Sequence, residues 1–311
     1  LKPAFNGEVD FVVHGGDLLY RSRVPAALVE MALAPLVRVA NSGVPVFIVP
    51  GNHERSKIPL HLWGTHPKLH IFDRPKTFIM ELGGGSVALS GFPFQRNARD
   101  SFESHIEMTD FARADADLHL LCIHEAVEGA QVGPSDFTFR HGPDVIPGRM
   151  IPGNFAAILS GHIHRSQILT HDLSGRKMAA PVIYPGSIER TSFAERKEDK
   201  HYVLLEFEPD GSAKGKLSGI QFIQLPARPM VSIEVDPGKF VREELEGYLK
   251  TEFSNVDPDA IVRLKILGEM TNETAPVLRA PYLRELAPVT MNVSLSINRN
   301  QERTASHEDK R

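Results

Sequence analysis

The sequence holds one cysteine, Cys122, and one tryptophan in 311 residues. A lone cysteine excludes an internal disulfide framework and a zinc site built on several thiolates. Cys122 stands inside the apolar run Leu120–Ile123, the setting of a buried core thiol rather than of a nucleophile. No apolar segment reaches the length of a membrane span, and no signal peptide is visible. The glycosylation-type triplets at Asn272 and Asn292 therefore carry no meaning. An excess of basic residues is also lacking: 35 Lys and Arg face 39 Asp and Glu, a net charge of −4. A nucleic-acid partner would have to be met by a local patch. With 41% hydrophobic and 24% charged residues, the composition is that of a soluble globular protein with a full core. Fourteen histidines beside one cysteine point instead to His/Asp chemistry in a reducing compartment, the cytoplasm being the expected location.

What is present is a series of short apolar runs that end in polar residues. Val9–Val13 reads as a strand closing on His14-Gly15-Gly16-Asp17. Leu28, Val29, Leu33, Leu36, Val37 and Ala40 fall at helical spacing between Pro25 and Asn41, with Pro35 a point of kinking or division. Val46–Val49 reads as a strand closing on Pro50 and Gly51-Asn52-His53-Glu54. Strand, helix and strand in this order predict a parallel pair. Further strands are expected at Leu69–Phe72, Thr77–Leu82 and Val87–Ser90, the last two joined by a turn at Gly83–Gly85. A helical piece follows at Phe102–Ala114. Leu118–Ile123 is a strand ending in His124, and Phe155–Leu159 one ending in Gly161-His162-Ile163-His164.

Gln167–His171 is expected to pair with Pro181–Tyr184, and Tyr202–Phe207 with Leu217–Leu225. After the linker-like Pro226–Pro229 the pattern restarts with strand Val231–Val235, helix Lys239–Phe253 and strand Ile261–Ile266. A helical stretch containing Pro281 and a strand at Met291–Ile297 complete it. The expected class is α/β, with a first domain at residues 1–225, a smaller α+β domain at 229–298 and a polar tail at 299–311.

Four strand ends thus carry Asp17, Asn52 with His53, His124, and His162 with His164. Each alone has a plain structural explanation as a turn or cap. Together they converge, because parallel strands deliver their carboxyl ends to one edge of a sheet. Asp, Asn and His donors without thiolate suit manganese, iron or zinc. Two such ions clamp the attacking and leaving oxygens of a phosphoryl transfer, and a carboxylate can bridge them. Asp117-Leu118-His119 sits at the start of its strand and reads as surface polar residues on the opposite edge.

In chain order, Gly16-Asp17, Gly51-Asn52-His53-Glu54, His124 and Gly161-His162-Ile163-His164 resemble the motifs of calcineurin-like metallophosphoesterases. The segment from Tyr184-Pro185-Gly186-Ser187 to Phe193 resembles the SbcD family of DNA double-strand-break repair nucleases. The resemblance runs from the first residues to about Phe207 and is looser beyond. It implies an α+β sandwich with a capping domain, and two divalent ions, manganese being the family's usual one. Asp17 would bridge them, Asn52, His124 and His162 would complete one shell, and His164 would bind the other ion. His53 would stabilise the transition state or protonate the leaving 3′ oxygen. The implied activity is 3′-to-5′ exonuclease and endonuclease action on DNA in repair and recombination. An SbcC-type ATPase subunit and a second copy of the chain are the implied partners, with no membrane. Arg21, Arg23, Arg55, Lys57, Arg96, Arg99, Arg165 and Arg190 lie near the motif loops as candidates for phosphate contacts.

The family's Asp-x-His motif does not precede Asp17, and the first residue is Leu1. The expectation is that this strand lies outside the chain, that only Asp17 and His164 serve the other ion, and that nuclease activity of the 311 residues is strongly reduced. Two alternatives stay open: another metallophosphoesterase, such as a phosphatase or cyclic-nucleotide phosphodiesterase, and an inactive scaffold that has lost its first motif.

Overall fold

The computed structural model describes residues 1–21, 23–54, 66–212 and 214–297. Arg55, Lys57 and the polar tail lie outside the described residues. Helix α1 (Lys2–Phe5) precedes strand β1 (Val12–His14), helix α2 (Ala26–Asn41), and strands β2 (Val46–Ile48) and β3 (Leu69–Ile71). The three strands form a parallel sheet in that order. Pairing on β1 begins at Val12 rather than Val9, where its partner Val46 begins. On α2, Val29, Leu33, Leu36, Val39 and Ala40 pack against Val46, Ile48, Leu69 and Ile71. The helix runs through Pro35 undivided. Proline removes one backbone hydrogen bond there, whereas each large buried apolar side chain contributes about 1.5–3 kcal/mol, so the stripe wins.

Next come β4 (Lys76–Leu82), β5 (Gly85–Gly91), α3 (Ala98–Glu107) and β6 (Leu118–Ile123). Four short strands follow, β7 (Ala126–Val127), β8 (Gln131–Val132), β9 (Phe137–Thr138) and β10 (Val145–Ile146). Then come β11 (Ala157–Ser160), β12 (Gln167–His171), β13 (Lys177–Tyr184) and the hairpin β14 (Lys200–Glu208) with β15 (Lys216–Leu225). A six-stranded sheet has the order β12-β13-β11-β6-β5-β4. Its inner strands are parallel, and its two edge strands are antiparallel to their neighbours. The register Leu82 opposite Gly85 places Gly83 and Gly84 at the hairpin turn.

Phe47, Val49 and Phe72 fill the space between the two sheets, against Leu89, Leu120, Cys122, Ala157 and Ile183. The other face of the larger sheet buries Leu121, Ile123, Ile158, Val182 and Tyr184 under Phe102 and Ile106 of α3. The layers are therefore helix, sheet, sheet, helix. Strand β2 is covered on both faces, which is why it reads as an unbroken apolar run.

Two local expectations are corrected. The helix expected at Phe102–Ala114 occupies Ala98–Glu107, followed by a 3₁₀ turn at Phe111–Arg113. Asn97 holds a left-handed φ of 54°, its N–H donates to the Asp144 carboxylate at 2.7 Å, and Arg99 N–H donates to the Pro143 carbonyl at 2.9 Å. The helix start is thus capped by a distant segment. Second, Asp117 is exposed, but His119 is buried. β6 is a central strand, with Ala88 of β5 opposite His119 and Ala156 N–H on its carbonyl. Neighbours on both sides cover even its first residues.

The chain folds as two compact units, Leu1–Ile188 with Asp199–Leu225, and Glu189–Glu198 with the segment from Pro226 onward. Glu189–Glu198 therefore belongs with the second unit, although it precedes the boundary expected at 225. The second unit is built on β16 (Met230–Val235), α4 (Arg242–Ser254), β17 (Ile261–Ile266), α5 (Ala280–Leu286) and β18 (Asn292–Ile297). Its strands form a parallel sheet in chain order. Leu245, Leu249, Phe253 and Leu283 close its core over Ile233, Val235, Val262, Leu264 and Ile266. Phe240, expected on the helix, precedes it and stacks on Tyr248 at 5.3 Å. Within this unit the Arg263 guanidinium lies 3.7 Å from the Phe193 ring centroid, and Arg190 donates to the carbonyls of Glu198 and Arg228. No helix among the described residues is long and apolar enough to cross a membrane.

Candidate metal centre

Two glycine-rich loops bring the carboxyl ends of the two sheets of the first unit together. A Cβ placed on Gly15, after β1, would stand 3.1 Å from Gly161 Cα, after β11, and one on Gly161 would overlap the Gly15 carbonyl. Only residues without a side chain allow this approach. The site therefore does not lie along one edge of one sheet, as strand polarity alone suggested. It lies where the ends of β1 and β2 face those of β6 and β11.

At that junction Asp17 Oδ2 lies 3.2 Å from His124 Nε2, and Asn52 Oδ1 lies 3.2 Å from His124 Nε2 and 3.1 Å from His162 Nδ1. Ligand atoms of Asp17, His124 and His162 all fall within 4.8 Å of one another. His124 is buried, and its Nδ1 donates to the Gly15 carbonyl at 2.6 Å. In the neutral ring this leaves a lone pair on Nε2, aimed where Asp17 and Asn52 also present acceptor oxygens. Acceptors facing one another repel unless a cation stands among them. The donor set of carboxylate, amide oxygen and imidazole fits a borderline-to-hard divalent ion.

The electrostatics agree. Burial pushes the Asp17 carboxyl up, but a positive charge at His124 Nε2, where a proton can stand in for the metal cation, and the His53 amide outweigh it and hold the group ionised below the usual range. Burial, aided by His124, lowers His162 to about 4, so it stays neutral at neutral pH. His14 is lowered to about 4 for the same reasons, and its Nδ1 accepts the Gly16 N–H at 3.2 Å. Asp17 and His162 both adopt positive φ, 52° and 74°, the kind of backbone strain that fixed functional sites retain.

His53 stands apart. It is exposed, its Nδ1 donates to the Tyr20 carbonyl at 2.9 Å, and its Nε2 lies 3.9 Å from Asp17 Oδ2. His164 is outside the close group of Asp17, His124 and His162, although its charge bears on His162. Its carbonyl accepts Ser187 N–H at 3.0 Å and Lys200 Nζ at 3.2 Å. Among the arginines singled out from the sequence, Arg165 binds the Asp136 carboxylate and the Gly133 carbonyl, so it holds protein rather than solvent. Arg21, Arg23 and Arg96 are exposed.

Glu54 was legible only as a letter of its motif. Its carboxylate, 1% exposed, accepts N–H groups from Asp17 at 3.1 Å, Gly51 at 2.8 Å and Leu19 at 2.7 Å. One side chain thus fastens the Asp17 loop to the Asn52 loop. The acid directly after the second glycine-bearing turn was the available signal. Phe94 was also missed; its ring lies 5.8 Å from His162 and 6.2 Å from His124.

Residues 2–166 match the family model of the calcineurin-like phosphoesterases, and the chain belongs to that family. Within it, the chain is 30% identical over 281 residues to the DNA double-strand break repair protein Mre11 of Haloferax volcanii, across 88% of this chain and 56% of that protein. It is 23% identical over 266 residues to the Mre11 of Archaeoglobus fulgidus, across 80% and 56%. It is also 25% identical over 215 residues to an uncharacterized metallophosphoesterase, YhaO, of Bacillus subtilis, across 66% and 47%. The chain spans about half the length of these relatives.

Proposed function

We propose that the chain is the catalytic part of a metal-dependent DNA nuclease of the SbcD and Mre11 type. It would act as 3′-to-5′ exonuclease and endonuclease in double-strand-break repair. The observation that carries this reading is the convergence of Asp17, Asn52, His124 and His162 from two sheets, in a chain whose relatives are named as break-repair proteins. Asp17, Asn52, His124 and His162 would hold one divalent ion, with Asp17 and His164 serving a second, manganese being the candidate. Such ions supply Lewis-acid polarisation of a phosphoryl oxygen.

The remaining work falls to the protein. His53, with Nδ1 committed to the Tyr20 carbonyl, offers Nε2 to hold a proton at the mouth of the site and pass it to the leaving 3′ oxygen. Glu54 fixes the two loops, and Phe94 shields the imidazoles. The second unit is the candidate capping domain. An SbcC-type ATPase, a second copy of the chain and DNA are the proposed partners, in the cytoplasm.

The test is hydrolysis of a DNA hairpin against a small aryl phosphodiester, with manganese, by the full-length protein. Cleavage of the hairpin from an end or at the loop supports the nuclease reading. Turnover of the small diester with an inert hairpin would replace it by a phosphodiesterase of small molecules.

A further inference from the structure

Directly after the His124 loop the chain makes a small ribbon whose size and placement call for an explanation. β8 pairs antiparallel with β9, Val132 opposite Phe137. Two strands of two residues are too short to stand alone, and the ribbon is fastened from both sides. Gln131 N–H donates to Gln167 Oε1 and Gln167 Nε2 donates back to the Gln131 carbonyl, both at 2.8 Å. The Arg165 guanidinium holds Asp136 and the Gly133 carbonyl at its turn. The two fastening residues, Arg165 and Gln167, follow His164 by one and three positions. At the root, Phe139 and Val132 pack against the core of the larger sheet, and Phe139 exchanges backbone hydrogen bonds with Gly129 and Ala130.

On this rigid base stands Phe137. Its ring meets Phe139 edge to face, 5.4 Å between centroids at 85°, and the residue is 58% exposed. Arg140 and His141, the next residues beyond the ribbon, are also exposed, and the one acid of its turn, Asp136, is already neutralised by Arg165. An aromatic face, preorganised and followed closely in the chain by an exposed arginine and histidine, on a ribbon anchored to the strand that follows a phosphoesterase site, has the chemistry of a nucleobase support.

We propose that this ribbon is a base-stacking platform. Phe137 receives an unpaired base of the strand being cleaved, and Arg140 and His141 meet the phosphates beside it. Every base offers a π-face, so the platform selects an unstacked strand or a frayed end rather than a sequence. Phe139 holds Phe137 in place beforehand, so little side-chain freedom is lost on binding. The inference rests on the nucleic-acid reading of the site and adds to it where the substrate lies.

The experiment is binding of a single-stranded oligonucleotide carrying 2-aminopurine near its 3′ end, and of the matching duplex, by the full chain and its Phe137→Ala and Phe137→Trp variants. Melting curves of both variants establish that they fold. The expected result is that Phe137→Ala weakens single-strand binding about 5- to 100-fold and abolishes the change in 2-aminopurine emission, whereas Phe137→Trp keeps both and duplex binding moves little. Equal single-strand affinity and unchanged emission in Phe137→Ala overturn the platform while the nuclease reading stands. Equal weakening for single strand and duplex, without an emission change, also overturns it. A wild-type chain that binds neither DNA removes the nucleic-acid reading and the platform with it.

Discussion

The Gly15 carbonyl and His124 Nδ1 lie 2.6 Å apart, a hydrogen bond from the end of β1 in one sheet to the end of β6 in the other. That bond fixes which nitrogen of His124 faces Asp17 and Asn52. It depends on the carbonyl of Gly15 staying where Gly161 lets it stay. Gly161 does not have a positive φ, so alanine there is conformationally allowed and its cost is purely steric. Gly161→Ala pushes on the Gly15 carbonyl and should destabilise the first unit by about 1–3 kcal/mol, the usual cost of overpacking. Urea unfolding should show a lower midpoint at unchanged slope, and manganese should not raise that midpoint, as it is expected to do in the wild type. An unchanged midpoint would mean the two loops move apart freely.

Glu54 makes a second test of the same geometry. Its carboxylate accepts three backbone N–H groups from the Asp17 and Asn52 loops while almost wholly buried. In Glu54→Gln an amide NH₂ replaces one acceptor oxygen and faces an N–H donor, leaving both unsatisfied. Each orphaned buried group costs about 1–3 kcal/mol, so the expected loss is about 2–4 kcal/mol, with weaker manganese binding. Denaturant midpoints and a metal titration measure both; a variant as stable as wild type would show that the loops are held by other bonds.

These two residues also show how far the sequence could be read. The strands, the glycine turns and the polar residues at four strand ends were legible, because each is written in a local pattern of burial and turn chemistry. What was not legible depends on long-range partners. Nothing near Gly15 announces Gly161. Nothing near Ala98 says that Asp144 and Pro143 will cap its helix, and the polar segment Glu189–Glu198 has no periodicity that assigns it to the second unit. His119 looked like surface because strand position within a sheet is a tertiary property.

Glu125 supplies a prediction about pH. It is fully buried beside His124; one carboxyl oxygen accepts Gln95 N–H at 2.6 Å and the other has no hydrogen-bond partner among the described residues. Burial pushes its pKa up to about 9, with Asp144 adding to the rise. The folded state therefore keeps a proton that the unfolded chain releases above its ordinary carboxylate value. Stability from this group is complete below that value and is lost as pH climbs towards 9, by at most about 1.4 kcal/mol per pH unit. Glu125→Gln keeps the shape and cannot ionise, so it should gain on the wild type steadily from pH 5 to pH 9. Urea midpoints across that range measure it, and parallel curves for the two proteins would contradict a protonated Glu125.

The last prediction separates the residues that hold metal from the one that handles a proton. At a hundredfold excess over its dissociation constant, manganese should stabilise the folded chain by about 2.7 kcal/mol, a readily measured rise in melting temperature that EDTA reverses. His162→Ala and Asp17→Asn should each abolish the rise, because both atoms belong to the group that faces His124. His53→Ala should keep it, since His53 is exposed and turns its Nδ1 to the Tyr20 carbonyl rather than into the group. In the protein used for the hydrolysis test, the same substitution should cut turnover about 10²- to 10⁴-fold, the range expected for a lost general acid. A His53→Ala chain that loses the metal-induced rise would place His53 among the ligands, and one that keeps full turnover would remove it from the proton transfer.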